Sequence, residues 1–513
     1  MPPRQKNTAR ALSAALTLLC LALAACSLAS KQDTPSRDFS PVKMEKHGDA
    51  LLVLGHDAKQ LAQVNSQTGE IERVLPLGEK PNDFFVKGDK AFIAAGDSQG
   101  TLYVVDLSKW KMESAKPLGH FPVAIAARAD TIFAADRFAD RVLIAGDVSK
   151  TLEAIREPIA LALAPKDDAL WVCNFLPAGR ADGDFIAAAV SVFEGEKRKD
   201  ISLPNGAHSL RALCFSPDGN IAVVSHVLSR YALPATQVDK GWMNTNAVSL
   251  FDAEKKELIA TVLLDEMELG AANPWALAFS ADGKILYVSH AGTGELSVID
   301  FPVLLEKLDS ADKKEVSQQL GFLSGMRRRV QTGVKGPRAL LVDGGGVYVA
   351  GYFSDDIVRV NEKGEVEKIC SLGEGLEGAS PERRGHSHYN DASLCFQTWQ
   401  SCVSCHPDAR ADGLNWDLTN DGIGNPKNTR SIMLSHFTPP VMTLGIRKDA
   451  ETAVRRGFKH IQFVMPDEQM AKETDAYLRS LRPANSPRLN AKKPLKIKNT
   501  DPSCLQCHAP ELR

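Results

Sequence analysis

Between residues 45 and 378 the chain repeats one unit seven times, and this repeat limits the fold more than any other feature. Each copy runs from an apolar strand through a polar turn to a second apolar strand, then a loop and a third strand ending at an acidic residue. NPWALAFSADGKILYVSHAGTGELSVIDF (273–301) and HSLRALCFSPDGNIAVVSH (208–226) show it most clearly. The outline returns at 80–111, 120–150, 156–175 and 335–365, and at 49–70 without its opening strand. The strands are short and rich in β-branched and aromatic residues, with Asp-Gly, Gly-Asp and Gly-Gly turns between them. One such unit cannot bury both its faces, so the copies must stack in a ring. The expectation is an all-β, seven-bladed propeller over 45–378, its incomplete first blade completed by strand from the other end of the ring. The F-S-x-D-G phrasing resembles the YVTN-type repeats of bacterial seven-bladed propellers.

Two copies carry long insertions, 229–245 and 304–330. The second has helical periodicity and ends in Arg327-Arg328-Arg329, for which a partner-binding loop and a wet surface both stay open. His208, His226 and His290 recur near strand ends and read as structural histidines.

Ahead of the repeat, Arg4, Lys6 and Arg10 precede an apolar run from Ala11 to Ala25, too short to span a bilayer. Leu23-Ala24-Ala25-Cys26 resembles a bacterial lipobox. It implies a signal peptide at 1–25, a lipid on Cys26, and a tether over 26–44. Ser27, in place of the aspartate that retains lipoproteins at the inner membrane, favours the outer membrane facing the periplasm. Membrane contact then runs only through the lipid. With 61 Lys and Arg against 63 Asp and Glu, and no dominant basic patch, nucleic acid is not an expected partner.

Beyond residue 383 the pattern becomes helical, and the chemistry begins. Cys402-Val-Ser-Cys405-His406 has the spacing for covalent haem: two thiols add to the vinyl groups on one porphyrin edge, and the histidine ligates iron. A zinc knuckle needs two further ligands, and a redox CxxC belongs after a strand in a βαβ unit. Haem c is therefore the expected cofactor of a small all-α cytochrome c domain over 383–485. An aromatic helix (Phe396, Trp399) leads into the motif, and a second helix is expected over 467–481. Met465-Pro466 stands where class I cytochromes c, which this arrangement resembles, place a thioether ligand; His460 and His436 are the other candidate distal ligands. Cys504, Cys507 and His508 repeat the motif at 486–513, which reads as the start of a second, incomplete haem domain. Cys173, Cys214, Cys370 and Cys395 remain, as disulfides of any of three connectivities, with buried free thiols an equal reading for Cys173 and Cys214.

The stretch 385–485 further resembles the first haem domain of bacterial dihaem cytochrome c peroxidases and methylamine-utilisation-type dihaem enzymes. Asp412-Gly413, Lys427-Asn428-Thr429-Arg430 and Leu444-Gly445-Ile446-Arg447 stand at the family's motif positions. The W-D of the family's turn is missing, and Thr452 replaces a frequent glutamine. The resemblance implies an enzyme moving electrons between haem and peroxide or a protein, with a small redox protein and hydrogen peroxide as partners. Trp416 is then either an aromatic between haems or a core residue. The alternative is a non-enzymatic electron-transfer lipoprotein that docks through its propeller.

Overall fold

Seven four-stranded antiparallel sheets follow one another along the chain, at 41–76, 81–117, 122–153, 158–202, 207–263, 274–331 and 337–371. The computed structural model describes residues 37–145, 150–235, 243–419 and 422–487. The first strand of each blade lies against the first strands of both neighbours, and that of blade 7 against that of blade 1. These seven strands therefore ring a common axis, and the chain is a seven-bladed β-propeller.

Six of the inner strands begin with proline (Pro41, Pro81, Pro122, Pro158, Pro274, Pro337), each beside a slip in strand pairing. At such a bulge the missing N–H breaks no ladder bond.

The first blade corrects the sequence-based expectation. Its opening strand, Pro41–His47, belongs to the same sheet as the next three, so no strand crosses from the far end of the ring. PVKMEKH passes for tether because only Pro41 and Met44 are buried, while Lys43 and Lys46 reach Asp83 and Asp343 on neighbouring blades. Side chains close the ring instead. Phe39, Met44 and Val53 pack with Tyr348, Ala350 and Ile357 of blade 7. The Asp355 carboxylate accepts bonds from Ser40 N (2.7 Å), Phe39 N (3.3 Å) and Gly375 N (3.2 Å).

Between blades the core is aromatic and aliphatic. Trp171 of blade 4 stands edge-on to Phe215 and Phe251 of blade 5, at 5.6 and 6.0 Å. His208, His226 and His290 are buried and bond through Nε2 to Ser229, Ser249 and Ser297 at 2.7–2.8 Å. Burial pushes His208 down to about 3, His226 to about 4, and His290 well below its ordinary value.

These rings are neutral in the fold, whereas unfolded they take a proton below about pH 6.5. Their contribution is complete above that pH and falls as acid is added, by up to about 1.4 kcal/mol per histidine per pH unit. Buried Asp265 and Asp412, raised by burial to about 6, act in the opposite sense between pH 6 and 4. Burial also lowers His56, His386 and His406 and raises Glu45, Asp83 and Asp355, so six histidines stand against five carboxyls, and the net expectation is a melting temperature that falls from pH 6.5 to 4. Calorimetry across that range checks it, and His226→Gln should flatten the slope.

The 304–330 insertion also differs from its sequence reading. Helix α1 (Phe301–Ser310), capped by Asp300, buries Phe301, Leu304 and Leu308 and ends at Ser310. The arginine run is the fourth strand of blade 6, Arg327–Gln331. The Arg327 and Arg329 side chains are buried and ion-paired to Glu266 and Glu295, so this is no wet surface.

After blade 7 the chain turns onto the face where the inner strands begin. It forms helices α2 (Pro381–Asn390), α3 (Cys402–Cys405), α4 (Ala450–His460) and α5 (Glu468–Ser480). Helices α2 and α5 cross with backbones nearly touching at Gly385, where a Cβ would lie 1.9 Å from Glu473 O. The expected aromatic helix before the motif is absent. Asp391 ends α2, and Gln397 and Thr398 adopt left-handed conformations, turning their carbonyls toward the link between blades 5 and 6. There Gly270 N donates to Gln397 O (2.8 Å) and Thr398 Oγ1 to Gly270 O (2.9 Å).

Candidate functional site at the seam of propeller and cap

Cys402, Cys405 and His406 lie on one helical turn, set into the propeller by asparagines from blades 5 and 6. Ser401 and Ser404 cap each other in a reciprocal box at the start of α3. Asn273 joins both hydroxyls, donating to Ser401 Oγ (2.8 Å) and accepting from Ser404 Oγ (2.9 Å). Asn244 Nδ2 donates to Gln400 Oε1 (2.9 Å) and to Cys405 Sγ (3.1 Å), and Gln462 Nε2 approaches Cys402 Sγ at 3.8 Å. The propeller thus reaches a motif sulfur directly.

Burial pushes both thiols up to about 12. They stay protonated at neutral pH, the opposite of a CxxC that reacts as thiolate. His406 donates from Nδ1 to Arg430 O (2.9 Å), since a carbonyl can only accept, and its ring also lies against the Arg410 backbone. A histidine held this way by its other nitrogen is oriented as metal ligands are. Its carbonyl accepts from the buried Tyr389 hydroxyl at 2.7 Å.

Two residues on, Asp408 enters the mouth of the ring. Its carboxylate takes Arg137 Nη2 at 2.5 Å and Arg211 Nη2 at 3.3 Å, and Arg410 binds Glu157 at 2.5 and 2.7 Å. Burial alone would raise Asp408, but Arg137, Arg211 and Arg410 hold it well below the usual carboxylate range. The arginines belong to an arc of alternating cations and rings. Arg137 and Arg211 flank Phe175 (4.5 Å each), and Arg211 and Arg338 flank Trp275 (4.1 and 4.3 Å).

Over the segment that carries the motif the cap exposes more apolar surface than a solvated segment needs. Ten large exposed apolar side chains fall between residues 396 and 465, among them Ile423, Phe437, Met442, Leu444 and Met465. Exposed apolar surface, two thiols outside any disulfide and an adjoining histidine oriented by backbone carbonyls fit a covalently bound haem. A zinc knuckle fits less well: no group of three or more His, Cys, Asp or Glu among the described residues is placed to hold a metal ion.

The other candidates scatter. Met465 is 75% exposed. His460, at the exposed end of α4, faces Arg456. His436 is buried, with Nε2 on Asp475 Oδ1 (2.9 Å). Trp416 is a core residue, its indole N–H on buried Asp412 (2.8 Å). Cys173, Cys214, Cys370 and Cys395 are free thiols, not disulfides. Cys26, Cys504, Cys507 and His508 lie outside the described residues. Sequence reasoning missed Asn244, Asn273, Arg137, Arg211 and Asp408. Only the charged run Asp408-Ala-Arg410 directly after the motif hinted at a docking contact.

Fold and site together define a propeller capped by a cysteine–histidine motif. No family model matches the chain. It is similar to hydrazine synthase subunit beta of Kuenenia stuttgartiensis, 27% identical over 158 residues, which is 30% of this chain and 41% of that protein. It is also similar to hydrazine synthase subunit gamma of the same organism, 41% identical over 59 residues, 11% of this chain and 17% of that one. The chain thus spans less than half the length of these curated relatives. A solved Kuenenia stuttgartiensis hydrazine synthase chain shares the fold, with a TM-score of 0.57 and 19% identity over 66% of this chain and 99% of its own. These similarities overturn the expected function. The relationship runs to hydrazine synthase subunits, not to dihaem cytochrome c peroxidases, and the peroxide chemistry implied by that resemblance falls with it, as does the alternative of a non-enzymatic electron-transfer lipoprotein. The motif spacing and the closing helix behind that resemblance are short-range features, too few to separate haem families.

Proposed function

We propose that this chain is a component of a hydrazine-synthase-type assembly, with the propeller as scaffold and the capping segment as a cytochrome c-like domain. One observation carries the reading: a single chain is similar to two different subunits of that one enzyme. In this reading Cys402 and Cys405 would hold haem c and His406 would ligate its iron, and Cys504, Cys507 and His508 would hold a second haem. The haem supplies redox chemistry when bound. The chain's own residues do the rest. Arg430 O fixes the His406 tautomer, Asn244 and Asn273 seat the cysteine turn, and the exposed apolar side chains exclude water from the porphyrin faces. Export, a lipid on Cys26 and a periplasm-facing position complete the proposal, with a small redox protein as partner.

Two measurements test it. Purified chain retains haem through acid–acetone extraction, and Cys402→Ser/Cys405→Ser loses the share bound there. In the cell that makes the protein, the same double variant stops the formation of hydrazine. Haem lost on extraction refutes the cofactor, and unchanged hydrazine formation refutes the assembly.

A further inference from the structure

Asp408 sits in a turn that its own backbone does not favour. Asp408 and Ala409 both adopt left-handed conformations, with φ of 52° and 60°, a region that non-glycine residues seldom enter in succession. The turn follows His406-Pro407 directly, so its shape sets the direction in which the chain leaves the histidine. Within the cap, Ala409 N donates to His406 O (2.9 Å), Arg410 N to Pro407 O (3.0 Å) and Ile432 N to Ala409 O (3.0 Å), and the Arg410 guanidinium lies 3.8 Å from the Asp408 carboxylate. The closest ion pairs of the turn come from the ring. Arg137 belongs to blade 3 and Arg211 to the inner strand of blade 5, 271 and 197 residues from Asp408. Both guanidiniums lie against Phe175, so neither swings freely.

We infer that Arg137 and Arg211 are positioning residues of the propeller, acting through Asp408 to fix the orientation of His406 as a ligand. The inference rests on the proposed haem site and adds to it a role for the propeller. The ring orients the axial histidine from outside the cap, so a change in a blade is felt at the iron. Tyr389 and Arg430 secure the carbonyl and ring of His406 from the cap side, and the Asp408 latch secures the turn beyond it. Shape alone does not suffice here, because an amide in place of the carboxylate keeps the volume but not the two charge-assisted bonds.

The test uses the full chain with Asp408→Asn, Arg211→Gln and Arg211→Lys. With haem bound, the first two variants shift the haem absorption bands and reduction potential while the melting of the propeller is unchanged, and Arg211→Lys restores the parent spectrum. Parent-like bands and potential in Asp408→Asn overturn the inference, because a contact that merely glues cap to ring leaves the iron untouched. If the parent chain binds no haem, the proposed site fails but the latch is still readable. In apo chain, amide exchange at 403–412 then rises about tenfold in Asp408→Asn and stays at parent rates in the blades. Unchanged exchange at 403–412 overturns the latch as well.

Discussion

Asp355→Ala unlocks the propeller ring. The wild-type carboxylate is fully buried and gathers the backbone N–H groups of Phe39, Ser40 and Gly375 with the guanidinium of Arg383 at 3.0 Å. It therefore joins the start of blade 1, the end of blade 7 and the first helix of the cap at one point. Alanine leaves three buried donors without an acceptor. Arg383 keeps Asp38 and Asp57 at 3.3 and 3.5 Å, so most of the loss comes from the backbone donors. The expected destabilisation is about 3–5 kcal/mol, read from urea unfolding of the full chain. Asp355→Asn retains an acceptor oxygen and loses less. A propeller that unfolds at the wild-type urea midpoint with Asp355→Ala would show that packing alone closes the ring.

Gly385→Val separates the helices that carry the motif. Gly385 lies inside α2 with ordinary helical geometry, where a side chain would normally be tolerated or would even stabilise. Here a Cβ lands 1.9 Å from Glu473 O and 2.9 Å from Tyr477 Cβ on α5. A backbone carbonyl cannot rotate aside, so the helices must part. The His388–Glu473 bond (2.8 Å) and the Arg384–Glu473 bond (2.7 Å) are lost with the crossing. The cap then loses its fold while the ring persists, and limited proteolysis should trim the chain back to about residue 372. Gly457→Ala in α4 is the matched control, since nothing lies within 4 Å of its Cβ. Equal protease resistance in Gly385→Val would mean that α2 and α5 do not hold the cap together.

The ring was legible because its signal is local. Each blade writes its own alternation of apolar strands and turn residues, and seven copies average out any single misreading. The same locality explains the errors. The start of PVKMEKH reads as tether because only Pro41 and Met44 of this inner strand are buried, and the lysines it shows in sequence are paired across blades in space. For Arg327 and Arg329 a partner-binding loop and a wet surface both stay open in sequence for the same reason, since their carboxylate partners lie 61 and 34 residues away. At the site, Cys402, Cys405 and His406 were visible from spacing, whereas the asparagines that seat them were not.

By itself, then, the sequence determined what short-range geometry determines: seven stacked blades, and a pair of thiols and a histidine brought onto one helical turn. Only the tertiary structure decided where that turn sits and what holds it. Asn244 meets Cys405 across 161 residues, and Arg137 meets Asp408 across 271. No periodicity encodes contacts that far apart. They exist because the closed ring presents the entrances of its inner strands on one face, and burying the cap against that face brings blades 3, 5 and 6 to the motif.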